Sequence, residues 1–494
     1  MSLNDSPFMT SSTRLLVSRG NLNIFFVICA YFWLPQSFFA DCNHIDISNL
    51  RWLHDTSELE ITFQSKPEKI YELQGSSDLS GFNAIFDVTG ATGTEQTIVL
   101  GPSENLQTRF FKIAGKNTAP TARWFQEQNG SREESHGHFI LVCEDGGFLQ
   151  IGETGIVGRA TAKILVVKTN SEGDLEWKQE FGSGNRNMGN SAIEVADGYL
   201  VCGMLNRNSA ILKLDKSDGT LIFSRTRNNG GTDAYEHIAL HPNGFIVVGY
   251  TNAEDPNNTF FTEGRGYLGF HDSAGNWTSG KSLNEHLSLA YRIKAVDDNY
   301  YISGTTYSPT DTLTYAALKI DSSGSVIWSN QYGGSNQNHC FGMDVGSDGA
   351  VFLTGHTLSG TENWDTYTIK LDENGSVLWE TKRGNPRGFN PRWIHDETWG
   401  IQATCDGGCI IAAGTGDEYS YSVTLDGVTS DEWEAYIVKI DASGNVQWEA
   451  SYSSGDFGLE GDWAAEDIAL TSDGGAIIAI DNGQFGFLKI APFY

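Results

Sequence analysis

From residue 121 onward, short apolar runs alternate with tight polar turns. The runs are too short for ordinary helices and rich in β-branched and aromatic residues, so they predict strands. Two kinds of turn recur. The first kind comprises Asp145-Gly-Gly, Asp197-Gly, Asn243-Gly, Asp297-Asp-Asn, Asp348-Gly, Asp406-Gly-Gly and Asp473-Gly-Gly. The second comprises Ser171-Glu-Gly-Asp, Ser217-Asp-Gly, Ser273-Ala-Gly, Ser322-Ser-Gly, Glu373-Asn-Gly and Ala442-Ser-Gly. Asp/Asn-Gly pairs supply the positive φ that tight hairpins require. Each second turn leads into a strand with one aromatic residue: Trp177, Phe223, Trp277, Trp328, Trp379 and Trp448.

The whole unit returns about every fifty residues, which predicts a ring of four-stranded blades. Seven first turns face only six second turns. The missing aromatic strand sits at the front, where Ala122-Arg-Trp-Phe-Gln-Glu matches Leu175-Glu-Trp-Lys-Gln-Glu. The C-terminal unit has three strands, so the strand around Trp124 should complete it and close the ring. Closure removes an exposed sheet edge. The fold class expected is all-β: a seven-bladed β-propeller over residues 121–494 with a small N-terminal β-sandwich-like domain over 41–118. That domain shows alternating strands at Leu59–Phe63, Ile70–Gln74, Gln96–Leu100 and Arg109–Ile113.

The repeat resembles that of secreted bacterial propellers of the form D-x-x-G-x-x-x-W…G-G…D-G-G-x-x-x-x-G. Lys370-Leu-Asp-Glu-Asn-Gly-Ser-Val-Leu-Trp and Tyr332-Gly-Gly carry the match. This resemblance implies the fold and leaves function open.

At the N-terminus, Arg14 and Arg19 precede the apolar run Ile24–Leu34, which Pro35 and small residues up to Ala40 follow. A basic flank, a short apolar core and a small residue make residues 1–40 a secretory signal, with an uncleaved anchor as the alternative. Secretion or display at the cell surface follows, with no stable membrane insertion. Six cysteines then remain, and Cys405 and Cys409 flank a turn where a disulfide would close a hairpin. With 32 basic and 62 acidic residues the net charge is −30, which argues against a nucleic-acid partner.

The inner strand of each blade begins at one mouth of the channel. Aligned on Ile140, Ile193, Ile238, Ile293, Met343, Ile401 and Ile468, these strands carry polar residues upstream. Candidate catalytic residues there are His136, His138, His237, Tyr291, Arg292, His339 and His395. Candidate substrate-binding residues are Tyr235, Glu236, Arg265, Arg392, Trp393, Glu397 and Trp463. Base-catalysed elimination on an acidic sugar needs a base, a cation against the carboxylate and an acid for the leaving oxygen. These residue types supply all three, and the set is similar in architecture to propeller-type polysaccharide lyases such as the ulvan lyases. An extracellular uronate-containing polysaccharide is the expected partner. Arg265, Arg292, Arg387 and Arg392 would form the positive patch for it. One alternative is a non-catalytic adhesion or glycan-binding propeller, with structural channel histidines. Another is a metal-dependent enzyme with histidines as ligands, oriented by Glu134, Glu236, Glu397 or Glu466. No cofactor is assigned. Asp215, Asp272, Asp321, Asp372 and Asp441 read as turn caps rather than calcium ligands.

Overall fold

The computed structural model describes residues 45–493 apart from 46, 54–57, 67–68, 77–82, 91–94, 101–109, 116, 133, 156–161, 184–185, 254–263, 308–311, 335, 359–362, 419–421, 426–427 and 482. The expected signal at 1–40 and Cys42 lie outside the described residues. No helix among the described residues is long and apolar enough to cross a membrane. The chain divides into two compact units, Met1–Thr118 with Pro492–Tyr494, and Ala119–Ala491.

In the first unit, one three-stranded antiparallel sheet comprises Ile47–Leu53, Glu58–Gln64 and Glu95–Leu100; the other comprises Asn83–Thr89, Ile70–Ser76 and Phe110–Gly115. Alternate residues of Glu58–Gln64 are buried, the period of a strand with one face on a core. Leu59, Ile61 and Phe63 join Tyr71, Leu73, Ile98 and Ile113 in a single cluster. Two sheets that share one apolar layer make a small β-sandwich.

The second unit contains seven four-stranded antiparallel sheets, one per repeat. We number them as blades 1 to 7. Their inner strands are Ser135–Val142, Asn187–Val195, Thr232–His241, Leu289–Val296, Asn338–Val345, Ile394–Ala403 and Ala464–Leu470. In blade 7 the outermost strand is Ala122–Glu127, paired with Gly486–Ile490 so that Trp124 opposes Lys489. The two chain ends of the unit thus complete one sheet, and the ring has no open blade.

The repeated aromatics join neighbouring blades. Trp177, Trp328 and Trp379 donate from Nε1 to Lys216, Glu373 and Ala442 carbonyls in the second turn of the next blade, at 3.2, 3.1 and 2.9 Å. The Asp residues of those turns accept bonds from amides of their own turn. Asp272 Oδ1 takes the Ala274 and Asn276 N–H groups at 3.0 and 2.8 Å, the capping role expected. Both kinds of recurring turn lie at one end of the blades. The variable connections, including the insertion after Asp417 in blade 6, lie at the other, where the inner strands begin.

One expectation is corrected. Cys409 is a buried free thiol, as are Cys143, Cys202 and Cys340, so no Cys405–Cys409 bridge forms. Across that hairpin Cys409 pairs with Ala403, which points its side chain into the blade core while residue 405 belongs to the turn.

A glycine recurs on the second strand of blades 1 to 5: Gly152, Gly203, Gly249, Gly304 and Gly355. A Cβ at any of them would sit 1.8–2.1 Å from an inner-strand carbonyl oxygen, of His136, Met188, Ala234, Leu289 and His339 in turn. We expect Gly355→Ala to destabilise the protein by about 1–3 kcal/mol, the usual cost of overpacking. Chemical denaturation checks this, and an unchanged midpoint would show that the inner strand shifts freely there.

Candidate functional site in the central channel

Those glycines face a feature common to all seven inner strands. The pairing with the second strand skips one residue in each: His138, Asn190, Glu236, Tyr291, Phe341, Trp399 and Glu466. A β-bulge leaves its extra residue out of the ladder and re-aims the side chain. All seven of these residues line one cavity, together with Arg292. The propeller therefore builds a closed ring of one side chain per blade. The cavity holds about 440 Å3 including its open mouth.

One arc of the ring is polar. His138 donates from Nε2 to Glu153 Oε2 at 2.8 Å, and Glu153 is fully buried. Beside it, His136 Nδ1 lies 2.8 Å from Asp481 Oδ1. Burial disfavours both imidazolium ions, but the carboxylates outweigh it. His136 is pushed up to about 9 by its hydrogen bond to Asp481, and His138 to about 10 by the charge of Glu153. Burial raises the Glu466 carboxyl to about 8, with the Asp481 charge adding to it and His138 opposing. Glu236 is raised by burial to about 7, with Arg292 and His138 pulling the other way. Near neutrality this arc therefore holds an imidazolium, a protonated carboxyl and a carboxyl at its midpoint.

The opposite arc is aromatic. Tyr291 and Phe341 ring centroids are 4.9 Å apart, and Phe341 and Trp399 4.3 Å. Met188, Met204, Ala234, Tyr250 and Leu289 pack with them. Burial holds the Tyr291 phenol far above its ordinary range, so it stays protonated.

Below the ring one charge pair crosses the channel and another joins adjacent blades. Arg292 of blade 4 reaches Asp467 of blade 7 at 3.7 Å and lies over the Phe139 ring of blade 1 at 5.9 Å. Further down, Lys294 meets Asp344 at 2.8 Å.

Of the residues singled out by sequence, His138, Glu236, Tyr291 and Arg292 come together in the cavity, with His136 next to it. The others sit elsewhere. His237 follows the bulged Glu236 and meets Phe139 edge-on at 5.5 Å, and burial drives its pKa well below the ordinary range. His339 packs on Trp364 at 4.6 Å and is lowered by burial to about 4. His395 is buried with Nδ1 3.3 Å from Glu397. Tyr235 is a core residue whose hydroxyl lies 3.2 Å from His271 Nε2, and Trp463 is buried against Phe125 at 4.3 Å. The positive patch does not assemble. Arg265 is exposed. Arg392 is exposed and stacks on Trp393 at 4.9 Å. Arg387 pins the blade 6 insertion through the Glu432, Thr415 and Ser430 carbonyls.

Asn190, Phe341 and Trp399 were missed as site residues, and Glu466 was named only as an orienting group. In blade 2 the cause is a one-residue misalignment: Ala192, which pairs with Val201, is the structural equivalent of Ile140, not Ile193. In blades 5 and 6 the nearby histidines His339 and His395 are the conspicuous residues. Blades 2, 3 and 6 also carry a polar residue three positions before the bulge. Its role is local. Asn187 Oδ1 accepts the Asn206 N–H at 2.9 Å, Asp233 takes Asn229 and Asn252 N–H at 2.6 and 2.8 Å, and Asp396 takes Asn385 N–H at 2.8 Å.

The histidines also do not converge as metal ligands. His136 and His138 each hold a separate carboxylate, and among the described residues no group of three or more His, Cys, Asp and Glu is placed to bind a metal ion.

No protein-family model matches the chain, and no curated protein matches it. Among solved structures it is similar to a catalytically inactive virginiamycin B lyase from Staphylococcus aureus with quinupristin. The identity is 15%, covering 74% of this chain and 99% of that one, with a TM-score of 0.43. The Dos1 propeller is 11% identical over 75% of this chain and 95% of that one, TM-score 0.44. Chaetomium thermophilum Raptor is 9% identical over 75% of this chain and 30% of that one, TM-score 0.45.

The raised values in the polar arc have a consequence for stability. His136, His138 and Glu466 all bind protons more tightly folded than unfolded. Their contribution is therefore full below the unfolded values and is lost as pH rises through about 8 to 10. The melting midpoint is expected to fall between pH 7 and pH 10 and to recover on return. A midpoint at pH 10 no lower than at pH 7 would contradict the pairing of these groups.

Proposed function

We propose that the protein is a secreted carbohydrate-active enzyme, a lyase that cleaves a uronate-containing polysaccharide by β-elimination in the propeller channel. The observation that carries this reading is the bulge-built ring, which sets proton-transfer groups against an aromatic arc in one cavity. Glu236, at its midpoint near neutrality, suits the base that removes the proton beside the sugar carboxylate. Arg292, the His138 imidazolium and the protonated Glu466 are donors for that carboxylate, and they make the proton acidic enough to leave. Tyr291 keeps its proton and suits the acid that serves the departing oxygen. Phe341 and Trp399 offer flat apolar faces to a sugar ring. The basic and apolar pattern up to Ala40 supports an extracellular setting.

The test is direct. The protein lacking residues 1–40 is mixed with a panel of uronate polysaccharides, and absorbance near ~235 nm reports the unsaturated product of elimination. A rise with one polymer supports the reading and names the substrate. No rise with any polymer, from folded protein, would sink it.

A further inference from the structure

Among the described residues the ring has one wall per blade, and beneath it a charge pair spans the channel. Its residues lie two to five positions into the inner strands, roughly 7–16 Å along them at about 3.3 Å per residue. Beneath it, Arg292 crosses to Asp467, and Lys294 pairs with Asp344. Each blade contributes one wall, so among the described residues no cleft runs across the ring to let a chain enter on one side and leave on the other.

We infer that the site is a blind pocket that accepts a chain end, so that the enzyme is exolytic and takes the uronate at the reducing end. This rests on the lyase reading above. A sugar inside a polymer has a neighbour on both sides, and a pocket with one opening accommodates only one of them. In the elimination, the base takes the C5 proton and the C4–O bond breaks. The electron pair of the C–H bond becomes the C4–C5 double bond, and the glycosidic oxygen leaves with a proton. The bond that breaks is thus the one at C4. The rest of the chain must be attached there and extend out of the mouth. The sugar in the pocket then carries nothing at C1 and is the reducing terminus. The first product released is an unsaturated monosaccharide, and the chain shortens by one residue per turnover.

The experiment uses the polymer that gives the strongest signal near 235 nm, in native form and after borohydride reduction of its reducing ends. Reduction opens the terminal sugar to an acyclic alditol. With the reduced chain the initial rate is expected to fall at least about tenfold, because the ring is no longer positioned for attack. With the native chain, unsaturated monosaccharide is expected from the first turnovers while viscosity barely changes. An equal rate on both chains, or early loss of viscosity with larger unsaturated fragments, would overturn the exolytic inference and leave the lyase reading intact. Absence of signal from every polymer and from short oligomers would overturn both.

Discussion

Glu236→Gln is expected to lower the rate of unsaturated-product formation by roughly 10²–10⁴-fold, the usual worth of a positioned general base. The substitution keeps the shape of the side chain and removes its ability to accept a proton. The bulge keeps residue 236 in the ring whatever its identity, because the backbone between Tyr235 and His237 sets its aim. Folding should survive, since a buried carboxyl that resists ionisation is replaced by a neutral amide. A melting midpoint no lower than that of the unaltered protein checks this. The pH profile supplies a second readout. The base works ionised, so the rate should climb as pH rises through about 7, where Glu236 loses its proton. Above about 8, Glu466 loses the proton it offers to the substrate carboxylate, and the rate should fall again. The two flanks belong to the interacting set of ring groups. A profile flat across both, or an E236Q variant with full activity, would remove Glu236 from the base role.

The fold was legible because its signals are local and repeated. Asp-Gly turns and one aromatic per repeat gave the blades, and Trp124 gave the closure seen between Ala122–Glu127 and Gly486–Ile490. The ring was only partly legible. Its position is set by a backbone irregularity, and no side chain announces it, since His, Asn, Glu, Tyr, Phe and Trp all occupy the bulge. A trace of it was nonetheless present in the repeat. The glycine that ends D-G-G-x-x-x-x-G stands where the bulge pushes an inner-strand carbonyl toward the second strand, at Gly152 and Gly355 among others. Read as a backbone constraint, it would have pointed to Phe341. Tyr235 and His237 illustrate the opposite error. They flank Glu236 in the strand, but the ladder resumes at each of them, and they pack among neighbouring side chains.

Glu153 gives the largest stability effect expected in the channel. Its side chain is fully buried, and its partner His138 is a largely buried imidazolium. Removing one member of a buried ion pair leaves the other charge uncompensated, which costs about 3–5 kcal/mol. Glu153→Ala should therefore lower the melting midpoint by roughly 5–10 °C for a chain of this size. It should also bring His138 down from about 10, because the Glu153 charge and hydrogen bond are what hold it up against burial. Replacing both residues by apolar ones of similar volume should recover most of the lost stability, since two apolar groups carry no unmet charge. That double variant should stay inactive in the 235 nm assay, because the donor on that side of the ring is gone. If Glu153→Ala alone leaves both the midpoint and the His138 titration unmoved, the pair does not carry the charge state assigned to the polar arc. The carboxylate-binding role of His138 would then have to be given up.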